Sequence, residues 1–226
     1  MLLFRKLLSV ILAFSILLAL PLTVHSAGSA LDRVTFFGDS TTAHLSIRAG
    51  IPKSRVWSGA RSTVLFETVN KIKCVHLSAE NRDMTLADAV ALKKPQILVI
   101  TVGVSGGAGL LSQERFMAIY REMLSSVRKA SPSTKILVQS ILPLSDKSVK
   151  HYKTLTKSAV KEANGWIRSV CREMGVPYLD THSLLIDPQT GYLRAEYQND
   201  EYMHLTSTAY AVVLDAVREK LLALGY

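Results

Sequence analysis

Residues 34–40 read V-T-F-F-G-D-S, an apolar strand that halts at a glycine and sets an acid and a serine at its carboxyl end. Open α/β sheets carry their chemistry at that edge. Near the other end of the chain, Asp200-Glu201-Tyr202-Met203-His204-Leu205 supplies a histidine with carboxylates three and four residues before it. A serine hydroxyl is inert at neutral pH unless an imidazole takes its proton, and the imidazole needs an acid to set its tautomer and stabilise its charged form. Ser40, His204 and one of Glu201 or Asp200 are therefore the residue types of a nucleophilic hydrolase. A rival serine exists. Gly103-Val104-Ser105-Gly106-Gly107 meets the G-x-S-x-G pattern after an apolar run and precedes His204. The glycines that follow it suit a loose loop better than the tight strand-to-helix elbow that pattern needs, so Ser40 is favoured.

These residues require a framework that brings distant segments together. Apolar runs at 34–37, 97–102, 136–141 and 176–179, with a weaker one at 55–57, are continuous rather than alternating, as in parallel strands buried on both faces. Helical spacing falls between them, at 86–93, 113–129 and 151–174, and again after the last at 207–224. Alternation of this kind predicts a three-layer α/β/α domain with about five parallel strands and its site at the strand carboxyl ends. Ser131-Pro132-Ser133 and Gly175-Val176-Pro177 punctuate helix ends where that order requires them.

Other polar residues have plainer explanations. His44, four residues after Ser40, falls one turn along the next helix and reads as lining the cleft or facing solvent. His76, His151 and His182 have no partner at metal-ligand spacing, so no metal site is expected. Asp39 reads as a hydrogen-bond acceptor beneath the serine turn, Asp180 as a cap, and Asn164 as a packing or surface residue. Tyr197 and Tyr202 flank the acids and fit either an aromatic pocket wall or ordinary packing.

Residues 1–27 carry a basic start at Arg5 and Lys6, an apolar run at 7–20 and small residues up to Ala27, the pattern of a secretory signal cleaved near Ser26 or Ala27. An uncleaved anchor is the alternative: extended to Val24, the run would make about 27 Å of helix, against roughly 30 Å of bilayer core. Ser9, Ser15, Pro21 and Thr23 weaken it. Residues 28–226 suit one domain with one sizeable core. The expectation is an exported protein, extracellular or at the cell surface, touching membrane only through its N-terminal segment.

Net charge is +9, or +7 without Arg5 and Lys6, which favours anionic surfaces such as wall polymer or simply solubility. Lysines gather at Lys147, Lys150, Lys153 and Lys157. Aromatic residues do not interleave the basic ones as a nucleic-acid platform needs, so nucleic-acid binding is excluded. Cys74 and Cys171 are the only cysteines; their separation gives no assurance of a disulfide, and Cys171 also fits a buried helix position.

Taken as ordered blocks, Gly38-Asp39-Ser40, Ser58-Gly59-Ala60, Thr101-Val102-Gly103-Val104-Ser105 and His204-Leu205-Thr206 resemble the SGNH hydrolase (GDSL esterase/lipase) family across nearly all of residues 28–226. The resemblance implies a flavodoxin-like sheet and hydrolysis of an ester through an acyl-enzyme, without a cofactor. It assigns Ser40 as nucleophile and His204 as base. It gives the oxyanion and substrate contacts to the Ser40 and Gly59 amides and to the third block, Gly103 and Ser105. Two positions depart from the family pattern. Ser105 stands where the family has asparagine, and Glu201 stands where it has the aspartate three residues before the histidine. The resemblance therefore favours Glu201 as the acid, with Asp200 in reserve. The implied substrate is a small acyl ester, an O-acetyl group of a cell-surface polysaccharide or a short-chain lipid ester. Because of the two departures, a weakened relative that binds surface glycan or wall polymer without turnover is the alternative.

Overall fold

Strand runs that are apolar at successive positions make sense only if both of their faces are covered. The computed structural model describes residues 30–226, and the segment 1–27 read as an export signal lies outside the described residues. The strands are β1 (Val34–Gly38), β2 (Val56–Trp57), β3 (Val75–Leu77), β4 (Arg82–Met84), β5 (Ile97–Thr101), β6 (Lys135–Gln139) and β7 (Tyr178–Leu179). β1, β2, β5, β6 and β7 form one parallel sheet in the order β2-β1-β5-β6-β7. This is the flavodoxin-like arrangement, in which the order reverses beside the first strand and opens a crevice at the carboxyl ends. β3 and β4 pair as a separate antiparallel hairpin, whose three-residue strands are too short for periodicity to announce.

The helices are α1 (Ser40–Ala43), α2 (Leu45–Arg48), α3 (Leu86–Lys93), α4 (Gln113–Ala130), α5 (Lys157–Glu173), α6 (His182–Leu185) and α7 (Ser207–Ala223). Alternate strand residues face opposite layers. Leu98, Ile100 and Val138 pack with Phe116, Tyr120 and Met123 of α4 and with Val160 and Ile167 of α5. Val34, Phe36, Val99 and Leu137 pack with Tyr210, Val213 and Val217 of α7 on the other side. Each such side chain contributes roughly 1.5–3 kcal/mol by leaving water, so the sheet edge that bears the chemistry rests on two rigid layers.

Two expectations are corrected here. The helix expected over 151–174 begins only at Lys157, because the Thr156 hydroxyl caps it by accepting from the Ala159 amide; residues 151–156 are an irregular connection after the short 3-10 helix Asp146–Lys150. Asn164, expected as a packing or surface residue, is not at the surface. Its side chain is buried, and it accepts from the Ile141 amide at 2.8 Å and donates to the Ile141 carbonyl at 3.0 Å. It thus pins the segment after β6 to α5. Cys74 and Cys171 are both free and buried, and burial pushes their thiols up to about 11 and about 12. Among the described residues no helix is long and apolar enough to cross a membrane.

Candidate active site

Gly38 ends β1 beside Thr101 of β5. A Cβ at this position would fall 2.1 Å from Thr42 Oγ1 and 2.3 Å from the Thr101 carbonyl oxygen, so only glycine lets the chain turn here into α1. Asp39 then caps α1. Its Oδ1 accepts from the Thr41 amide at 3.2 Å and from Thr41 Oγ1 at 3.0 Å. The Tyr210 hydroxyl of α7 donates to the Thr41 carbonyl at 2.7 Å. Ser40 is thereby fixed as the first residue of α1, and its amide has no backbone acceptor among the described residues. Burial pushes the Asp39 carboxyl up to about 6, against the hydrogen bonds from Thr41 and the nearby His204, which lower it.

The histidine arrives on a closed loop. An antiparallel bridge joins Gln198 to Leu205, and the Asn199 amide donates to the His204 carbonyl at 3.0 Å. His204 Nε2 lies 2.8 Å from Ser40 Oγ, a hydrogen bond across 164 residues of sequence. His204 Nδ1 bonds to Asp200 Oδ2. The other Asp200 oxygen accepts from the Tyr202 amide at 2.9 Å and the His204 amide at 3.3 Å. Burial works to raise the Asp200 carboxyl, but these amide bonds and the imidazole outweigh it and hold it below its ordinary value.

Asp200 and not Glu201 is thus the acid at His204, which corrects the preference that followed from the family spacing. A helical face would have served either residue. The segment is instead a bend held by the Asp200 side chain itself, and Glu201 turns outward to His151 Nε2 at 3.4 Å and Lys147 Nζ at 3.9 Å. His44 also sits closer than expected. Its ring lies over His204 with centroids 4.3 Å apart, and its Nδ1 is buried without a hydrogen-bond partner among the described residues. Burial, then His204 and Arg48, hold His44 below the ordinary imidazole value. Its spacing of four from Ser40 was the available signal.

Ser40 and His204 open into a cavity of about 470 Å³ walled by Val104, Ser105, Leu110, Leu155, Tyr202 and Met203. Ser105 shares this cavity, and its hydroxyl has no hydrogen-bond partner among the described residues; its carbonyl accepts from the Phe66 amide at 2.7 Å. His204 Nε2 bonds to Ser40 and not to it, and no helix starts beside it, since α4 begins only at Gln113. The G-x-S-x-G pattern is therefore no elbow. Gly103 does not line the cavity. With φ at +123° and Phe116 Cζ 2.9 Å from where a Cβ would stand, it is a packing glycine, and its carbonyl accepts from Ala108. Gly59 follows β2, which neighbours β1, and lies outside the cavity wall. Its carbonyl accepts from the Ser62 amide at 2.7 Å, and its own amide has no backbone acceptor among the described residues. Tyr202 lines the cavity and stacks on His151, whereas Tyr197 packs into the α7 layer. Asp180 accepts from the Ser183 amide at 3.1 Å and from Arg168 Nη2 at 2.9 Å. No group of His, Cys, Asp and Glu among the described residues could hold a metal ion.

A serine, an imidazole and a carboxylate in one hydrogen-bonded line at the carboxyl edge of a flavodoxin-like sheet define a serine-type acyl hydrolase. The chain belongs to the GDSL-like lipase/acylhydrolase family, whose sequence model matches residues 36–212, and is a carboxylic-ester hydrolase of the SGNH type. Its fold is similar to that of a GDSL-like lipase from Bacteroides thetaiotaomicron (13% identity, TM-score 0.58, covering 84% of this chain and 88% of that one). A carbohydrate esterase family 3 structure from Talaromyces cellulolyticus is similar at 16% identity and TM-score 0.54, over 84% and 96% of the two chains. The periplasmic domain of a lipopolysaccharide acetyltransferase from Salmonella ser. Paratyphi A is similar at 15% identity and TM-score 0.52, over 84% of each. No curated protein matches the chain in sequence.

Proposed function

We propose that this protein is an exported serine esterase that removes a small acyl group, an O-acetyl of a surface glycan or a short-chain lipid ester, through an acyl-enzyme on Ser40. The observation that carries the reading is the line Asp200–His204–Ser40 opening into the 470 Å³ cavity. His204 Nε2 takes the Ser40 proton as Oγ attacks the carbonyl carbon, and Asp200 holds the proton on Nδ1. His204 then gives its proton to the departing alcohol. Water repeats the cycle in reverse to release the acid. The donors assigned to the negative charge on the carbonyl oxygen are the Ser40 and Gly59 amides, which have no backbone acceptors among the described residues, and the Ser105 hydroxyl. Export is supported by the basic and apolar N-terminal segment.

The weakened-relative reading drew on Glu201 and Ser105. With Asp200 at His204 the carboxylate is present, one residue earlier than in the family spacing, and Ser105, the other departure, lines the cavity. An acyl-enzyme can also pass its group to a sugar hydroxyl, and one similar structure is named an acetyltransferase, so the assay follows both free acetate and acetylated acceptor. The purified protein should hydrolyse p-nitrophenyl acetate, and Ser40→Ala should abolish turnover while Ser105→Ala only lowers it. Absence of hydrolysis, or full activity in Ser40→Ala, would overturn the proposal.

A further inference from the structure

The lysines noted in the sequence at 147–157 continue to Lys161, and three of them, Lys153, Lys157 and Lys161, line the walls of two cavities. Lys153 lines the cavity that holds Ser40 and His204. Lys157 and Lys161 line a second cavity of about 560 Å³, set between α5 and the segment that carries Asp180, His182 and Gly191. Leu155 belongs to the first cavity and Lys157 to the second, so their walls are joined by two residues of chain, at most about 7 Å. Both volumes fall within the roughly 300–1,000 Å³ of ligand-binding clefts.

The charge along this path is uncompensated. Among the described residues, Lys147 reaches Glu201, but Lys150, Lys153, Lys157 and Lys161 form no ion pair with a carboxylate. Among the described residues Lys157 Nζ donates only to the neutral Thr190 carbonyl, at 2.7 Å, and it lies over the Tyr192 ring. The acid in the second cavity, Asp180, is already taken by Arg168. The acids of the same stretch, Asp146 and Glu162, line neither cavity. A cleft lined by one sign of charge concentrates ligands of the other.

We infer that the second cavity is a subsite for a polyanionic glycan, which lies along the lysine track and presents an acyl ester to Ser40. This rests on the esterase reading for its purpose, but binding of the polymer is measured without turnover. The substrate class is then an O-acylated glycan whose repeat carries a carboxylate or a phosphodiester. The neutral acetyl group sits in the first cavity beside Ser40, and the charged chain stays on the lysines.

Fluorescence anisotropy with labelled oligogalacturonate and with a poly(ribitol phosphate) oligomer tests this, and the two arms distinguish carboxylate from phosphodiester. A neutral cello-oligosaccharide and phosphatidylglycerol vesicles serve as comparisons. Expected is salt-sensitive binding of at least one polyanion, weakened about tenfold at low ionic strength in the Lys157→Gln/Lys161→Gln double variant. The Lys157→Arg/Lys161→Arg variant should retain it, and all three proteins should hydrolyse p-nitrophenyl acetate equally. Equal binding of the neutral oligomer, no effect of the glutamine pair, or lysine-dependent binding of vesicles alone would overturn the inference. Loss of p-nitrophenyl acetate hydrolysis in the unsubstituted protein would instead sink the esterase reading and leave the binding result standing.

Discussion

Replacing Asp200 by asparagine tests the relay at its least obvious member. The aspartate accepts three hydrogen bonds, from the Tyr202 amide, the His204 amide and His204 Nδ1. An asparagine can keep both amide bonds with its single carbonyl oxygen, so the bend survives. Its NH₂ group must then face Nδ1, and a donor there accepts only the tautomer whose proton sits on Nε2. Nε2 is the atom 2.8 Å from Ser40 Oγ, and once protonated it cannot take the serine proton. Loss of the base and of the acid's stabilisation of the imidazolium should lower kcat by about 1,000- to 10,000-fold, or about 4–5.5 kcal/mol of activation free energy. Glu201→Gln removes only exposed contacts to His151 and Lys147, worth about 0–1 kcal/mol, and should change kcat by less than about fivefold. Steady-state hydrolysis of p-nitrophenyl acetate, with urea denaturation to confirm that both variants fold, separates the two. A larger loss in Glu201→Gln than in Asp200→Asn would refute the assignment of the acid.

Three further outcomes follow from neighbouring features. Ser105→Ala should lower kcat by about 10- to 100-fold with little change in KM, and Ser105→Asn should match or exceed the unsubstituted protein, because an amide reaches the oxyanion position with less aiming; equal kcat in all three would remove Ser105 from the site. Burial pushes Asp39 up to about 6 in the folded protein against an ordinary value near 3.8. The folded state therefore holds a proton that the unfolded chain has lost, and stability falls as pH rises between those values, by about 3 kcal/mol. Asp39→Asn keeps acceptance from Thr41 and should flatten the stability profile from pH 4 to 6 in urea titrations; an unchanged slope would contradict it. Asn164→Leu strands the buried amide and carbonyl of Ile141 and should cost about 2–5 kcal/mol of unfolding free energy, with kcat of the folded fraction retained.

Much of this arrangement is legible in the chain because burial on both faces leaves a local mark. The continuous apolar runs of β1, β5 and β6 announce parallel strands, and Gly38-Asp39-Ser40 announces a turn too crowded for a side chain. What escapes is decided by contacts between distant segments or by competition within one. Asp200 prevails over Glu201 because its short side chain folds back onto two amides of its own bend, which residue spacing along a helix does not foresee. The start of α5 depends on one capping hydroxyl, Thr156. Asn164 acquires its role only when α5 meets the end of β6, and the second cavity exists only because residues near 160 and near 185 converge.

The central claim is that His204 makes Ser40 reactive. Exposure of the protein to a serine-directed fluorophosphonate, followed by peptide mass mapping, measures this directly. A single adduct on the peptide bearing Ser40, formed rapidly in the unsubstituted protein and slowed by at least about 100-fold in His204→Ala, is the predicted result. An adduct on Ser105, or a rate at Ser40 indifferent to His204, would contradict the account.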